Sequence, residues 1–594
     1  MRESKQRVRI KMYGKLSTRR GNYEYNMPWR RRRRRKNNKR TNGRLRSASD
    51  HGAGAGAGAE EEDEETHMRC VDCDVAIIGA GVSGLACAKR LDEMMPPQAK
   101  IVLVDAADKV GGRVRTDSVD GFMLDRGFQI FLQGYSRLRE SKLIDFDALQ
   151  LQDFYNGAMV RLGARSQEND DDNTTTTSNN GVDEKVHYAR IADPTRHPID
   201  GVASLLNDVG SPLDKITVGV LRLGAALSSP EKLLSAMPET SSYDALRRAG
   251  LSEAMIDRFF RPFLGGIFFD RELRTSSRML FFILRSLALG ANSLPSEGME
   301  AVPRQMEAAL SDRVELLLGH RAESLRDFTS GGDGSEGDND DDDEDDDDDD
   351  DDNGITVSLI ATSSAVAAEG QGEGGDKREN EEELQQHQHR VRLRAAHCVV
   401  ATEGGQKCDA LLGDRLVRAG IESHTGEPVS TACVYLSLPE DDIPSTDPIL
   451  YLNGERDANL LVNNLCFPST VCRAYAPKGR HLLSASVIGL AEDIGDGRSL
   501  GEAVREEVAS QWFPQVSGVR KWELLRVYRV PYAQPPQRSP TNLERDVALP
   551  GGRLFVCGDH RETASLEGAV LSGARAARAV VDSIGVNASS AASA

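Results

Sequence analysis

Apolar residues first fall into a regular pattern at Val71, where the chain reads "VDCDVAIIGAGVSGLACAKRL". Val75 to Ile78 form an unbroken apolar run, which predicts a buried parallel strand. Gly79, Gly81 and Gly84 follow, and then Leu85, Ala88 and Leu91 recur at the spacing of one helix face. "KIVLVDA" predicts a second buried strand ending at Asp105, twenty-one residues after Gly84. Near the other end, "GRLFVCGDHRETASLEGAVLSGARAARAVV" predicts a strand over Leu554–Cys557, a turn at Gly558, and a helix from about Ser565. Between these ends, residues 136–290 are mainly helical in pattern, whereas 425–545 alternate in short runs such as "STACVYLSL" and "HLLSASVIGL". Val314–Leu318, Val391–Leu393 and "HCVVAT" at 397–402 read as further strands.

Strand, glycine turn, helix, strand and acid form the context that a dinucleotide requires. The first glycine makes the tight turn, the second admits a pyrophosphate against the backbone, and the third lets helix and strand pack closely. The helix start offers amides and a partial positive charge to phosphate. Candidate contacts are therefore Gly79, Gly81, Val82, Ser83 and Gly84, with Asp105 and the adjoining Ala106 toward the ribose. A glycine turn that merely packs would not explain an acid at the end of the next strand. Just beyond it, "DKVGGRVRT" adds a second flexible, cationic segment containing Gly111, Gly112, Arg113 and Arg115. A dinucleotide with a long ribityl arm would use both segments, and the planar fork of arginine suits its phosphates.

Charge alters the picture at two places. The chain has 594 residues, 39% hydrophobic and 28% charged, with a net charge of -19 that sums local extremes. Residues 340–352 are thirteen consecutive acids and "EEEDEE" occupies 60–65, so both should stay solvated. The first 49 residues are basic, with Arg30 to Lys36 unbroken. This tail reads as an organelle transit segment, a nuclear-localisation or nucleic-acid patch, or a low-complexity extension. Nucleic-acid binding through it would be strongly salt-dependent and confined to the tail. The longest apolar run, "MLFFILRSLALG" at 279–290, is interrupted by Arg285 and is short of the ~18 residues a membrane span needs. Cys70 and Cys73 make a CxxC with no second pair, so the nine cysteines read as reduced thiols in an intracellular compartment.

"DVAIIGAGVSGLACAKRL…VLVDAADKVGGRVRT" resembles the N-terminus of the flavin-containing amine oxidase superfamily, which includes protoporphyrinogen oxidases and carotenoid desaturases. That family ends its second strand with Glu, where this chain has Asp105 with a shorter reach. The closing segment is similar too. The resemblance implies that Asp559, after Gly558, binds the ribityl chain, and that the helix start near Gly568 and Ala569 faces the flavin ring. It implies FAD rather than a nicotinamide. The fold expected is α/β, a Rossmann-like FAD-binding domain with an inserted mixed α+β substrate domain. Its FAD parts would be 68–135, 291–424 and 546–585, and its substrate parts 136–290 and 425–545. A tail at 1–67, an acidic insertion at about 329–390 and a tail at 586–594 would lie outside the fold.

The resemblance further implies hydride transfer from an apolar substrate, polyene-like or tetrapyrrole-like, to flavin N5, with reoxidation by oxygen or a quinone. Amine oxidation and a non-catalytic, regulatory flavin-binding role are the alternatives. The folded core should bind no nucleic acid, peripheral membrane contact stays open, and a plastid location is expected over a cytoplasmic or nuclear one. Amine oxidases hold a water near the flavin with a lysine, but Lys407, Lys478 and Lys521 read as surface charges. Phe259, Phe260, Phe263, Phe268 and Phe269 are pocket candidates, although core packing is the commoner role for such residues. Arg126 is a candidate for the cavity floor, and His560 for the flavin or for a plain turn.

Overall fold

Alternation along the first apolar run sends Val75 and Ile77 to one face of a strand and Ala76 and Ile78 to the other, and both faces are covered. The computed structural model describes residues 69–164, 186–328, 354–362, 390–419, 427–455 and 460–591. Within them the strand, β1 (Arg69–Ile78), is followed by helix α1 (Val82–Met94) and β2 (Ile101–Val104). After a long excursion come β3 (Val314–Leu317), β4 (His320–Phe328), β5 (Gly354–Ala361), β6 (Arg390–Val400) and, near the end, β7 (Leu554–Val556). β3, β2, β1, β6 and β7 lie side by side in parallel. β5 runs antiparallel along the first half of β6, and β4 pairs antiparallel with β5 at the sheet's edge. Helix α1 and the C-terminal helix, Leu566–Ala591, cover one face, and the helix Gln406–Leu412 packs on the other. This is a Rossmann-like α/β layer arrangement.

The structure departs from four expectations. The runs at Val391–Leu393 and 397–402 are one strand of 11 residues, because nothing between them breaks the extended chain. β5 lies inside the span assigned to the acidic insertion, and its alternation buries Ile355, Val357 and Leu359. The final helix reaches Ala591 rather than ending before 586, since "VNASSA" contains neither Gly nor Pro to stop it. The span 136–290 also supplies two strands, Gly157–Ala164 and Val186–Ala192. The charged tail over 1–67 and the acidic run at 340–352 lie outside the described residues.

Those two strands edge a second seven-stranded sheet. Its order is Glu523–Gln534, Val429–Pro439, Arg480–Ile488, Val462–Cys466, Leu450–Asn453, Gly157–Ala164 and Val186–Ala192. Val434 and Leu436 face a helix over Gly497–Glu507 with Trp512 and Trp522. Cys433 and Tyr435 face a hairpin, Thr116–Val119 with Phe122–Asp125, that arrives from the first sheet's side of the chain. Two further helices pack on each other. Helix α2 (Pro212–Leu227) starts in a capping box, with the Ser211 hydroxyl accepting from the Asp214 amide and Asp214 accepting from the Ser211 amide. Helix α3 (Ser277–Leu289) is the apolar run at 279–290, buried, with Arg285 satisfied by the Ser228 carbonyl and the Ser136 hydroxyl. No helix among the described residues is long and apolar enough to cross a membrane.

Asp125, at the end of the hairpin, ties it to the second sheet, where Tyr435 Oη donates to the Asp125 carbonyl at 2.9 Å. Thr116 Oγ1 at 2.6 Å, the Met299 amide at 3.0 Å and Tyr475 Oη at 2.9 Å all donate to its carboxylate. Burial pushes its pKa up to about 6 despite these donors. The folded chain therefore holds this proton between about pH 4 and pH 6 where the unfolded chain does not, so the group's contribution to stability falls as pH rises through that window. The expected loss is roughly 3 kcal/mol, complete above pH 6. Urea titrations of wild type and Asp125→Asn across this window check this, since wild type alone should lose stability as pH rises; a difference between the two that stays constant with pH would sink the assignment.

Candidate active site

Two glycine segments form one cradle. Gly79 has φ +112°, where side chains are strained, and a Cβ there would lie 2.7 Å from the Ala401 carbonyl oxygen. Gly81 bridges to Gly111, and the Gly111 amide donates to the Ala80 carbonyl at 2.8 Å. No side chain caps α1, which leaves its N-terminal end open to an anion. Asp105 accepts from the Ala80 amide at 2.7 Å through one oxygen and from the Ala107 amide at 2.8 Å through the other. The shorter acid thus holds the glycine turn itself, with a second lone pair on each oxygen still available.

Arg113 and Asp559, 446 residues apart, meet fork to fork at 2.7 and 2.9 Å. A third bond runs from Arg113 to the Ala533 carbonyl at 3.0 Å, and the guanidinium lies 5.2 Å from the Tyr532 ring centre. Burial opposes its charge, but the attraction of Asp559 more than offsets this and holds Arg113 above the ordinary arginine range. Arg113, read from the sequence as a phosphate contact, is here the residue that fixes Asp559. At the same end the Ser572 hydroxyl accepts from the Gly558 amide at 2.9 Å. Ser565 Oγ accepts from the Gly568 amide at 3.0 Å, capping the C-terminal helix.

One cavity of about 1050 Å³ runs past the two glycine segments and the closing segment around Asp559. Gly79, Gly81, Val82, Ser83, Asp105 and Ala106 line it from the first motif, and Gly111, Gly112 and Arg113 from the second. Gly558, Asp559 and Ala569 line it from the C-terminus. Gly84 and Gly568 stand behind the wall: a Cβ would lie 1.9 Å from the Gly79 carbonyl oxygen at the one and 2.0 Å from that of Thr563 at the other. Thr402 Oγ1, on the same wall, is buried without a hydrogen-bond partner among the described residues. A glycine-lined floor, an uncapped helix start and an unspent hydroxyl fit an extended dinucleotide.

Beyond the cradle the cavity opens into an apolar lobe. Ile130, Leu132, Phe263, Phe269, Ile283 and Leu287 line it, together with Leu450, Leu452 and Val530 from the second sheet. Phe260 and Phe268 are core instead, and Phe259 stacks against Phe263 at 5.3 Å. Arg126 reaches the wall and binds Asp117 through Nε and Nη2, while Tyr528 donates to the same carboxylate at 2.7 Å. Lys407 lines the cavity but pairs with Glu403 at 2.7 Å, and Lys478 and Lys521 are exposed elsewhere. His560 is buried in the turn against Gly404 and Gly558, away from the cavity wall. Sequence reasoning missed Thr402, Gln534 and Asn464 on that wall. Thr402 alone had a signal, since it follows the carboxyl end of a parallel strand, where open α/β sheets bind ligands.

Comparison with known proteins agrees with this geometry. The family model described as flavin containing amine oxidoreductase matches residues 82–349 and 379–581. A coproporphyrinogen III oxidase of Mycobacterium bovis is 38% identical over 56 residues, 9% of this chain and 12% of that protein. The Bacillus subtilis protein of the same name is 40% identical over 63 residues, 10% of this chain and 13% of its own length. These matches therefore span only about an eighth of the curated relatives. A solved structure assigned as a protoporphyrinogen oxidase from Exiguobacterium has a TM-score of 0.54 at 16% identity, covering 86% of this chain and 98% of that one. An oxidoreductase of Methanosarcina mazei has a TM-score of 0.52 at 16% identity, covering 85% and 99%. At that identity the likeness supports the fold alone. The family match over residues 82–349 and 379–581, well over half of the chain, carries the assignment further: this chain belongs to the flavin-containing amine oxidoreductase family and is an FAD-dependent oxidoreductase.

Proposed function

We propose that this enzyme oxidises an apolar organic molecule of tetrapyrrole or polyene type and passes the electrons to oxygen or a quinone. The apolar lobe carries the reading, because it continues from the cofactor cradle with Ile283, Leu287, Phe263 and Phe269 on its walls. Bound FAD supplies the hydride acceptor. The chain's own part is to bind, orient and exclude water. Phe263, Phe269 and Leu287 remove apolar surface from water, at about 25 cal/mol per Å² buried. Arg126, held by Asp117, presents a cation at the edge of the lobe, where a substrate's acidic group would be oriented. The names of the short-stretch relatives favour a tetrapyrrole within this class.

Amine oxidation is the second reading, drawn from the family. Against it, Lys407 on the cavity wall is 70% exposed and pairs with Glu403 one turn away, as a surface charge does. An anaerobic absorption spectrum of the purified enzyme decides between them. The flavin bands should bleach with a porphyrinogen or a polyene and persist with simple amines. Bleaching by amines alone would overturn the proposal.

A further inference from the structure

Nine of the twelve large hydrophobic side chains that stand strongly exposed among the described residues fall between Ile199 and Met237. Five of them form a stripe on α2: Leu213, Ile216, Val220, Leu223 and Leu227, each 58–80% exposed. Their spacing of three and four residues keeps them on one side of a helix roughly 24 Å long. Ile199, Val202 and Leu206, in and just after the preceding short helix, are 62–85% exposed. Monomeric proteins rarely leave so much apolar surface contiguous.

From this face we infer that α2 lies in the plane of a lipid surface, its stripe among the acyl chains. The helix carries only three charged residues, and all three turn inward. Asp214 caps the helix and accepts from the Ser252 amide. Lys215 donates to the carbonyls of Leu205 and Asn207, and Arg222 binds Asp193 and the Leu287 carbonyl. The outer face is thus free of charge, which matches hydrocarbon. A second copy of the chain would fit less well. Paired helices set their register with charges beside the apolar seam, and here Thr217, Gly219, Gly224 and Ala226 flank it. Gly219 and Gly224 open onto space, with nothing within 4 Å of a Cβ at either. Helix α2 packs on α3, whose Ile283 and Leu287 line the cavity, so the lipid face stands one helix away from the apolar lobe. The inference rests on the surface and stands whatever the substrate proves to be.

Flotation of the full chain with neutral phosphatidylcholine vesicles at about 1 M salt tests it, since a screening length of roughly 3 Å removes any contribution from the charged tails. Wild type should rise with the vesicles. A quadruple variant, Leu213→Ser with Ile216→Ser, Val220→Ser and Leu223→Ser, should partition at least about a hundredfold less, with unchanged melting and flavin content. Val220→Asp alone should show a smaller loss of the same kind, which covers the case of a poorly folded quadruple variant. The inference fails if wild type stays in the dense fraction, or if both variants float as well as wild type. It fails equally if lipid-free wild type sediments as a dimer that Val220→Asp dissociates, because the stripe would then belong to a second copy.

Discussion

Gly84→Ala is expected to leave the enzyme without flavin and to destabilise it by about 3 kcal/mol, the upper end of what overpacking costs. The new methyl would sit 1.9 Å from the Gly79 carbonyl oxygen, and backbone rather than a movable side chain stands in its way. Relief requires α1 to lift from β1, which carries the helix start away from the cradle. Gly81→Ala is the control. Its methyl would meet Gly112 Cα at 4.0 Å, an ordinary contact, so stability should hold while the space left for a phosphate shrinks. Urea melts and flavin absorbance after gel filtration separate the two effects. Equal stability of Gly84→Ala and wild type would refute the packing role assigned to Gly84.

Arg113→Ala should cost about 3 kcal/mol, the low end for breaking a buried pair because the arginine side chain is 33% exposed. The larger part of the cost comes from Asp559, whose side chain is 7% exposed and would be left charged beside no cation. Arg113→Lys should recover only part of the loss, since an ammonium cannot reproduce the fork. In Arg113→Ala with Asp559→Asn the two losses should overlap, giving a coupling of at least about 1.5 kcal/mol in a double-mutant cycle. Additive losses would show that the two side chains do not depend on each other.

The first strand, its glycines and Asp105 were legible in the sequence because the constraint there is local: an apolar run, a turn and an acid within thirty-odd residues. The pairing of Arg113 with Asp559 was not, since nothing in either motif announces a partner 446 residues away. The order of the first three glycines already set Gly84, which makes room for backbone, apart from Gly81, which lines the cavity, but nothing in the closing segment set Gly568 apart from Ala569 in the same way. The phenylalanines failed for a different reason. A π-helical turn over Ile256–Phe260 adds a residue to that turn, so the phase counted along a regular helix no longer tells which ring faces the lobe. β5 was hidden by composition, its short alternation lying directly after the acidic run.

Because β7 and the C-terminal helix finish the same sheet that β1 begins, biosynthesis imposes a wait. About 460 residues separate the end of α1 from β7, and a ribosome takes roughly 25 to 90 s to add them. During that time the face of α1 that the C-terminal helix will cover stays bare, and Asp559 does not yet exist to receive Arg113. The cradle is therefore complete only once the chain has been made through Asp559. A premature stop between β2 and Leu554 would yield a protein whose glycine fingerprint is intact and whose cofactor site was never built.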